Sequence, residues 1–232
     1  MRWTQRLAGA TAAVAVSAGV ALAVRRASLR WGATDDELGM SLAGDDLLPA
    51  PDLTATRAIT IAAPPSAVWP WLKQLGQNRG GFYTYDWLEN LVGIGIHSAD
   101  SVNPELQIRS VGEDVNLAPG MALSVTHLDD ERAFVVRGGV GLDGTDAGAP
   151  YDFTWSFVLL AQPGGSTRLV VRERYKYLTG WAGALVEPVE MVSLVMTERM
   201  LRGIRDRAEP RISRGWCRGL LLHREPAKSP RR

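Results

Sequence analysis

One carboxylate is predicted to lie on an apolar strand face. In the predicted strand of residues 167–177, alternation places Glu173 on the apolar side. That side also carries Leu169, Val171, Tyr175 and Tyr177, and the other side carries Arg168, Arg172, Arg174 and Lys176. A buried carboxylate is costly unless it is paired or hydrogen-bonded. Glu173 is therefore either a general base or an anchor for a polar ligand group, or it is neutralised by a salt bridge or a tyrosine hydrogen bond near the sheet edge. We favour the second interpretation.

Two histidines are candidates for proton transfer. His127 falls on the predicted face of Met121, Leu123 and Val125. A histidine at a cavity rim could exchange protons, although a hydrogen-bonded structural role is more common. His97 lies in the phrase IHSAD at residues 96–100, where it and Asp100 could orient one another and fix a loop. A cyclase-, hydrolase- or isomerase-like enzyme would need Glu173 to converge with His97 or His127. The chain has no Gly-x-Ser-x-Gly elbow, which argues against a serine hydrolase.

Aromatic and methionine side chains are the candidates for ligand contact. The predicted strand of residues 151–161 places Phe153, Trp155, Phe157 and Leu159 on one face. A cluster of Tyr83, Tyr85 and Trp87 follows Gly80-Gly81 and either lines a cavity entrance or packs short helices on the sheet. The predicted ligand-binding residues are Tyr83, Tyr85, Trp87, Phe153, Trp155, Phe157, Glu173, Tyr175, Met196 and Met200.

No metal or cofactor site is predicted. Three scattered histidines and one cysteine, Cys217, provide no spacing typical of metal ligands. The run GVGLDG at residues 139–144 matches Gly-x-Gly-x-x-Gly, but no helix follows it and its neighbours are predicted antiparallel strands. The dinucleotide-binding motif requires a strand before it and a helix after it, so this match does not indicate a nucleotide site.

Periodicity predicts the elements that position these residues. A β-branched strand is predicted over residues 54–62, and Pro64-Pro65 opens a helix over residues 66–75. A second short helix is predicted over residues 85–91. Six further strands are predicted over residues 107–111, 114–118, 121–128, 133–137, 151–161 and 167–177. A long helix follows, with Pro188 in its first turn and Pro210 at its end. This order predicts an α+β helix-grip fold, in which a curved antiparallel sheet wraps around the long C-terminal helix and leaves a cavity.

The N-terminal segment, residues 7–24, contains 18 residues and no charge. At about 1.5 Å per residue it reaches roughly 27 Å, enough to span a bilayer core. We interpret it as a transmembrane anchor. The alternative is a signal peptide cut after Ala21-Leu22-Ala23, with export of the mature protein. Arg25 and Arg26 directly after that site favour retention and a cytoplasmic domain. Residues 25–53 are predicted to be a linker with little structure, residues 54–209 the domain, and residues 210–232 a basic tail.

Charge is unevenly distributed along the chain. Residues 31–210 carry 14 Lys/Arg and 24 Asp/Glu, a net charge of −10, whereas residues 211–232 carry seven Lys/Arg and one glutamate, a net charge of +6. A nucleic-acid binder would need a basic face on its folded part, so no nucleic-acid partner is predicted. Basic ends beside an apolar helix are attracted to anionic lipid. The predicted partners are a membrane and a hydrophobic small molecule or lipid.

One long block resembles a known family. Residues 55–91, ATRAITIAAPPSAVWPWLKQLGQNRGGFYTYDWLENL, together with IHSAD and the closing MTERMLRGIRDRAE, resemble the actinobacterial, membrane-anchored members of the SRPBCC superfamily, which includes START lipid-transfer domains and polyketide cyclases. The resemblance implies a helix-grip fold with a cavity for a hydrophobic or amphipathic molecule. It implies no particular reaction and no catalytic residue.

Three functions remain open. The first is a membrane-tethered module that binds a lipid-like or aromatic molecule. The second is a cyclase- or hydrolase-like enzyme that uses Glu173 with His97 or His127. The third is a protein-interaction scaffold, which would need an exposed apolar patch and a core without a cavity.

Overall fold

The computed structural model describes residues 17, 19–91, 93–139 and 148–210. The helices are α1 (residues 19–28), α2 (Asp35–Gly39), α3 (Pro65–Leu72), α4 (Asp86–Leu91) and α5 (Ala182–Ala208). The strands are β1 (Leu53–Ile61), β2 (Asp114–Ala118), β3 (Met121–Asp129), β4 (Ala133–Gly138), β5 (Tyr151–Gln162) and β6 (Ser166–Tyr177). Short 3₁₀ turns cover Asp45–Leu47 and Pro104–Leu106.

The six strands form one curved antiparallel sheet in the order β1-β6-β5-β4-β3-β2. The segment between β1 and β2 carries α3 and α4, which lets the chain cross from one edge of the sheet to the other. Helix α5 packs against α3 and β1. Most of the apolar core lies between the sheet and these helices. The molecule therefore has the α+β architecture predicted from the sequence, with a long C-terminal helix held by a sheet.

Two predicted elements differ from the structure. Residues 107–111 are not a strand: the amide of Ile108 donates to the carbonyl of Lys73 at 2.7 Å, so this segment runs along the end of α3 and not beside β2. Helix α5 begins at Ala182, so Pro188 lies inside it. A proline there removes the amide that would bond one turn back, and its ring also crowds the carbonyl four residues earlier. Complete burial of Ala182 and Val186 favours the extra turns.

The predicted linker is structured, and that prediction was wrong. The carbonyls of Leu29 and Trp31 accept hydrogen bonds from the amides of Thr56 and Ala58, at 2.8 and 3.1 Å, along the outer edge of β1. Helix α2 has a capping box formed by Thr34. An uncovered edge strand can pair with strands of other chains. The segment of residues 29–31 covers the edge of β1.

Acidic residues of the same segment explain its position. Glu37 pairs with Arg168 at 2.7 Å, and Asp45 pairs with Arg172 at 2.5 Å and Arg174 at 2.8 Å. These are three of the arginines predicted on the side of β6 away from the cavity. A second small core lies on that side, formed by Leu42, Ala58, Ala133, Val158 and Val170. Both faces of the central strands are consequently buried.

The predicted anchor lies mainly outside the described residues. Of residues 7–24, only Ser17 and residues 19–24 are described, and they belong to the helical N-terminal segment. Within the described ranges, no helix is both long and apolar enough to cross a membrane. The predicted basic tail also lies outside the described residues, apart from Pro210.

Candidate functional site

A cavity of about 760 Å³ lies between the inner face of the sheet and α5. Three groups of residues line it. The sheet contributes Leu117, Met121, Ala122, Leu123, Gly138, Tyr151, Phe153, Trp155, Glu173 and Tyr175. Helix α5 contributes Leu185, Val186, Val189, Val192, Ser193, Met196, Thr197 and Met200. Helix α4 and the segments next to α4, β4 and β5 contribute Phe82, Thr84, Glu89, Ile94, Gly139, Ala149 and Pro150. The lining is mainly aliphatic and aromatic.

Aromatic side chains of β5 and β6 form the base of the cavity. The ring of Phe153 lies 4.6 Å from that of Tyr175, and Trp155 lies 6.2 Å from Phe82, measured between ring centroids. Phe157, which shares the predicted face, lies deeper and stacks on Phe134 at 5.6 Å. It is fully buried and does not belong to the described lining. Alternation along β5 thus predicts the face correctly but not how far along the strand the cavity extends.

Glu173 lies in the cavity wall and is almost completely buried. Its Oε1 accepts from Arg57 Nη1 at 2.9 Å, Ser193 Oγ at 3.0 Å and Thr197 Oγ1 at 3.1 Å. Its Oε2 accepts from Ser193 Oγ at 2.9 Å and Tyr175 Oη at 3.3 Å. Burial, followed by the charge of Glu173, raises the pKa of Tyr175, so this hydroxyl keeps its proton. Glu173 is an ion-paired, fully hydrogen-bonded carboxylate.

A second carboxylate completes this cluster. Arg57 also pairs with Glu190, and Glu190 Oε2 accepts from Arg25 Nη1 at 3.0 Å and Ser28 Oγ at 3.3 Å. Burial raises the pKa of Glu190, while the guanidinium groups of Arg57 and Arg25 oppose the rise and Glu173 adds to it. The cluster joins α1, β1, β6 and α5, and it places two cations beside two buried carboxylates.

Arg57 and Glu190 were not predicted as site residues. Alternation places Arg57 on the same face of β1 as Ala55 and Ile61, which are both completely buried. Helical spacing places Glu190 one turn from Val186, which is also buried. Each position was detectable as a charge on a buried face, and together they identify the ion partner that Glu173 requires.

Neither predicted histidine lies at the cavity. A register shift between Val125 and His127 inserts an extra residue into β3. His127 therefore pairs with Val135, on the outer face, and is exposed. His97 is exposed in the segment after α4, where the neighbouring Ser98 binds Asp86. The Glu173–His127 and Glu173–His97 pairs proposed for an enzyme are not formed.

The aromatic cluster of residues 83–87 packs the helices. The Tyr83 hydroxyl donates to the Trp71 carbonyl at 3.0 Å, and the guanidinium of Arg207 lies 4.8 Å from the Tyr83 ring centre. Tyr85 and Trp87 are exposed, and none of the three belongs to the described lining. Phe82, Thr84 and Glu89 from this region line the cavity in their place. Met196 and Met200, which were predicted to contact a ligand, are also among the lining residues.

Two polar atoms in lining residues are buried without a hydrogen-bond partner among the described residues. They are Glu89 Oε2 and Trp155 Nε1. Glu89 Oε1 accepts from Thr84 Oγ1 at 2.6 Å. Burial raises the pKa of Glu89, the hydrogen bond from Thr84 opposes the rise, and the charge of Asp86 adds to it. Within the described ranges, no group of three or more His, Cys, Asp or Glu residues is placed to hold a metal ion.

No family model matches the chain, and no curated protein matches it. Solved structures do match. The hypothetical protein jhp0584 from Helicobacter pylori is 11% identical over 73% of this chain and 96% of its own, with a TM-score of 0.44. Protein Ms6760 from Mycobacterium smegmatis is 19% identical over 66% of this chain and 89% of its own, with a TM-score of 0.37. A third structure, the protein TTHA0849 from Thermus thermophilus, is 17% identical over 67% of this chain and 97% of its own, with a TM-score of 0.38. At these TM-scores, the likenesses support no conclusion about function.

Proposed function

We propose that this chain binds a largely apolar small molecule, lipid-like or aromatic, in the cavity under α5, and that its N-terminal segment holds the domain at a membrane. The observation that carries the proposal is a cavity of about 760 Å³ with an aliphatic and aromatic lining. Ligand sites of about 300–1,000 Å³ typically bury most of a drug-sized molecule and use few polar groups. The size and lining of this cavity match that description.

The polar wall restricts the chemistry of the ligand. Glu173 is already neutralised by Arg57, and both of its oxygens accept hydrogen bonds. A charged ligand group would have to displace one of these partners, and breaking a buried ion pair is strongly unfavourable. The polar part of the ligand is therefore expected to be uncharged, such as a hydroxyl or carbonyl group.

The two other functions have less support. An enzyme using Glu173 with a histidine lacks the required geometry, because His97 and His127 both lie away from the cavity. A scaffold was expected to have a filled core, whereas this core encloses a cavity. Binding of an apolar ligand agrees with both observations.

A matched pair of substitutions in α5 tests the proposal. Met196 lines the cavity, and the adjacent Val195 is exposed outside its described lining. We expect Met196→Trp to fill the cavity and weaken binding of the uncharged fluorescent probe N-phenyl-1-naphthylamine at least about tenfold, since excluding a ligand loses most of its apolar contact. Val195→Trp should bind the probe like wild type. Fluorescence titration of the full-length proteins in one detergent measures both.

The pair also provides its own control, because partition of the probe into micelles is the same for both variants. Native mass spectrometry of the same samples should show a small-molecule adduct on Val195→Trp and wild type but not on Met196→Trp. Equal probe binding by both variants, with unchanged circular dichroism, would mean that the cavity is not the binding site.

A further inference from the structure

The first half of α5 directs three polar residues inward and exposes five apolar ones, although Val186 is buried and Glu187 is exposed. Glu190, Ser193 and Thr197 face the buried ion cluster. The apolar residues Leu185, Val189, Met191, Val192 and Val195 are 41–60% exposed. The second half of the same helix is normal, with Met200, Leu201 and Ile204 buried. A helix of a water-facing surface has charged residues outside, so the first half of α5 is built to face an apolar surrounding.

The exposed residues surround the opening of the cavity. Leu185, Val189 and Val192 of α5 and Met121 of β3 both line the cavity and are exposed. They therefore mark where it opens. Trp181, just before α5, and Met191 and Val195 extend the apolar surface away from the opening and are not part of the described lining. We call these seven residues the apolar rim. A contiguous apolar surface of this kind indicates an interaction site.

The N-terminal segment approaches the same half of α5. Arg25, in the last turns of α1, pairs with both Glu187 and Glu190, and Ser28 donates to Glu190. Upstream in α1, Val20, Leu22 and Val24 are exposed, and the uncharged run of the sequence continues back to residue 7. The apolar N-terminal run therefore continues into α1, which is ion-paired with α5 beside the apolar rim.

The local charges suit an anionic lipid surface. The exposed acid of this region, Glu187, is paired with Arg25, whereas Arg26 on α1 is exposed. Five arginines and no acid occur in residues 1–30. Basic residues near an anionic bilayer are attracted to it, and apolar side chains beside them insert into the interface.

We propose that the apolar rim lies against the lipid bilayer, so that the cavity opens directly into the membrane and its ligand enters from the lipid phase. The inference that a ligand enters rests on the proposed function. The docking of the rim does not, since it follows from the exposed apolar residues of α5 and the position of α1. The occupant is a bilayer containing anionic lipid.

Single-cysteine labelling of the full-length chain tests the docking. Cys217→Ser removes the native thiol, and Met191→Cys or Val195→Cys places a nitrobenzoxadiazole label on the rim without altering the described cavity lining. The control is Val111→Cys, which is 54% exposed in the turn before β2. The proteins are reconstituted into vesicles of phosphatidylcholine and phosphatidylglycerol. We expect doxyl-labelled phosphatidylcholine to quench the rim labels several-fold more strongly than the label at residue 111, and their emission to shift to the blue.

Two results would overturn the docking. Rim labels that aqueous iodide quenches as strongly as the control would show that the rim faces water. A second copy would be shown to cover the rim if the labels are shielded from both quenchers and unlabelled Val195→Cys protein forms a disulfide between two copies on treatment with a thiol oxidant such as copper phenanthroline. The probe titration of the two tryptophan variants separates the docking from ligand binding. If the rim labels face water but Met196→Trp still weakens probe binding, only the docking is contradicted. If the rim labels lie in lipid but both tryptophan variants bind the probe equally, only ligand binding in the cavity is contradicted.

Discussion

At the scale of single residues, the surroundings of Glu89 and Glu113 shift their pKa values in opposite directions. Glu89 is buried in the cavity wall, and Asp86 adds to the effect of burial, so its pKa is raised. Glu113, in the turn before β2, has the opposite shift. Burial alone would raise its pKa, but hydrogen bonds from the amides of Arg109 and Ser110 and from the Arg79 guanidinium together lower it. The two residues should therefore influence stability with opposite dependence on pH.

The pH dependence follows from the sign of each shift. A carboxyl group with a raised folded-state pKa destabilises the fold once the pH rises above its unfolded pKa, here 4.5. Glu89→Gln is therefore expected to stabilise the protein at neutral pH, with the gain vanishing below about pH 4.5. A lowered pKa contributes stability above 4.5 that is lost as the pH falls through the folded-state pKa. Glu113→Gln should accordingly be destabilising at neutral pH and nearly neutral in acid.

Urea unfolding of both variants and wild type, repeated across this pH range, measures the effect. Each variant serves as the control for the other, because both replace one glutamate with glutamine. Two curves of the same sign would contradict the assignment of these environments.

At the scale of elements, the ion cluster fastens four segments to one another. Arg57 of β1 pairs with Glu173 of β6 and Glu190 of α5, and Glu190 in turn binds Arg25 of α1. The cluster holds the first half of α5 over the cavity, where the helix exposes its apolar side. Removing the cation in the middle would leave two buried carboxylates without their main partner.

Arg57→Met should consequently be strongly destabilising. The loss is expected to be about 3–5 kcal/mol in the free energy of unfolding, the usual effect of breaking a buried ion pair from one side. The control is Lys176→Met, which breaks the Lys176–Asp52 pair on the same sheet, where both side chains are more than one third exposed. An exposed pair contributes about 0–1 kcal/mol. Urea unfolding at neutral pH compares the two variants. A similarly small decrease in the free energy of unfolding for both would show that Arg57 is not the main stabilising partner of the two buried carboxylates.

Local patterns predicted most elements but not where their register changes. Period-two alternation identified the five strands between β1 and α5, because alternating residues on a half-buried strand face opposite sides, and it added one false strand at residues 107–111. Alternation through residues 121–128 placed His127 on the wrong face of β3. A β-bulge after Val125 reverses which side chains face the cavity, and no residue type in the sequence indicates the bulge. In α5, Met200 is buried as the spacing predicted, whereas Val189 and Val192 are exposed, because Glu190 and its partners occupy the inner side.

At the scale of the whole molecule, the sheet is covered on both faces. The sequence of residues 31–53, acidic and containing Gly and Pro, predicted a linker because it shows no helical or strand period. Its structure depends on long-range pairing with arginines more than 120 residues away, as in Asp45 with Arg172. Such pairing has no local signal. The same limitation applies to the polar atoms that line the cavity, because all the surrounding elements together determine which of these atoms have hydrogen-bond partners.

Truncation distinguishes a structural segment from a linker. On the outer face, Thr154, Ser156 and Val170 are fully buried, and Arg172 donates to Asp45 and to the carbonyls of Met40 and Glu37. A chain starting at residue 25 keeps these contacts, whereas a chain starting at residue 54 exposes apolar surface and leaves Arg172 without Asp45 and these carbonyl partners. We expect the first to unfold cooperatively and the second to be unfolded or aggregated. The free energy of unfolding of a typical domain is only about 5–15 kcal/mol, so losing these contacts would remove a large part of it. Circular dichroism melts and size-exclusion chromatography measure both, and equal melting temperatures would restore the linker interpretation of residues 25–53.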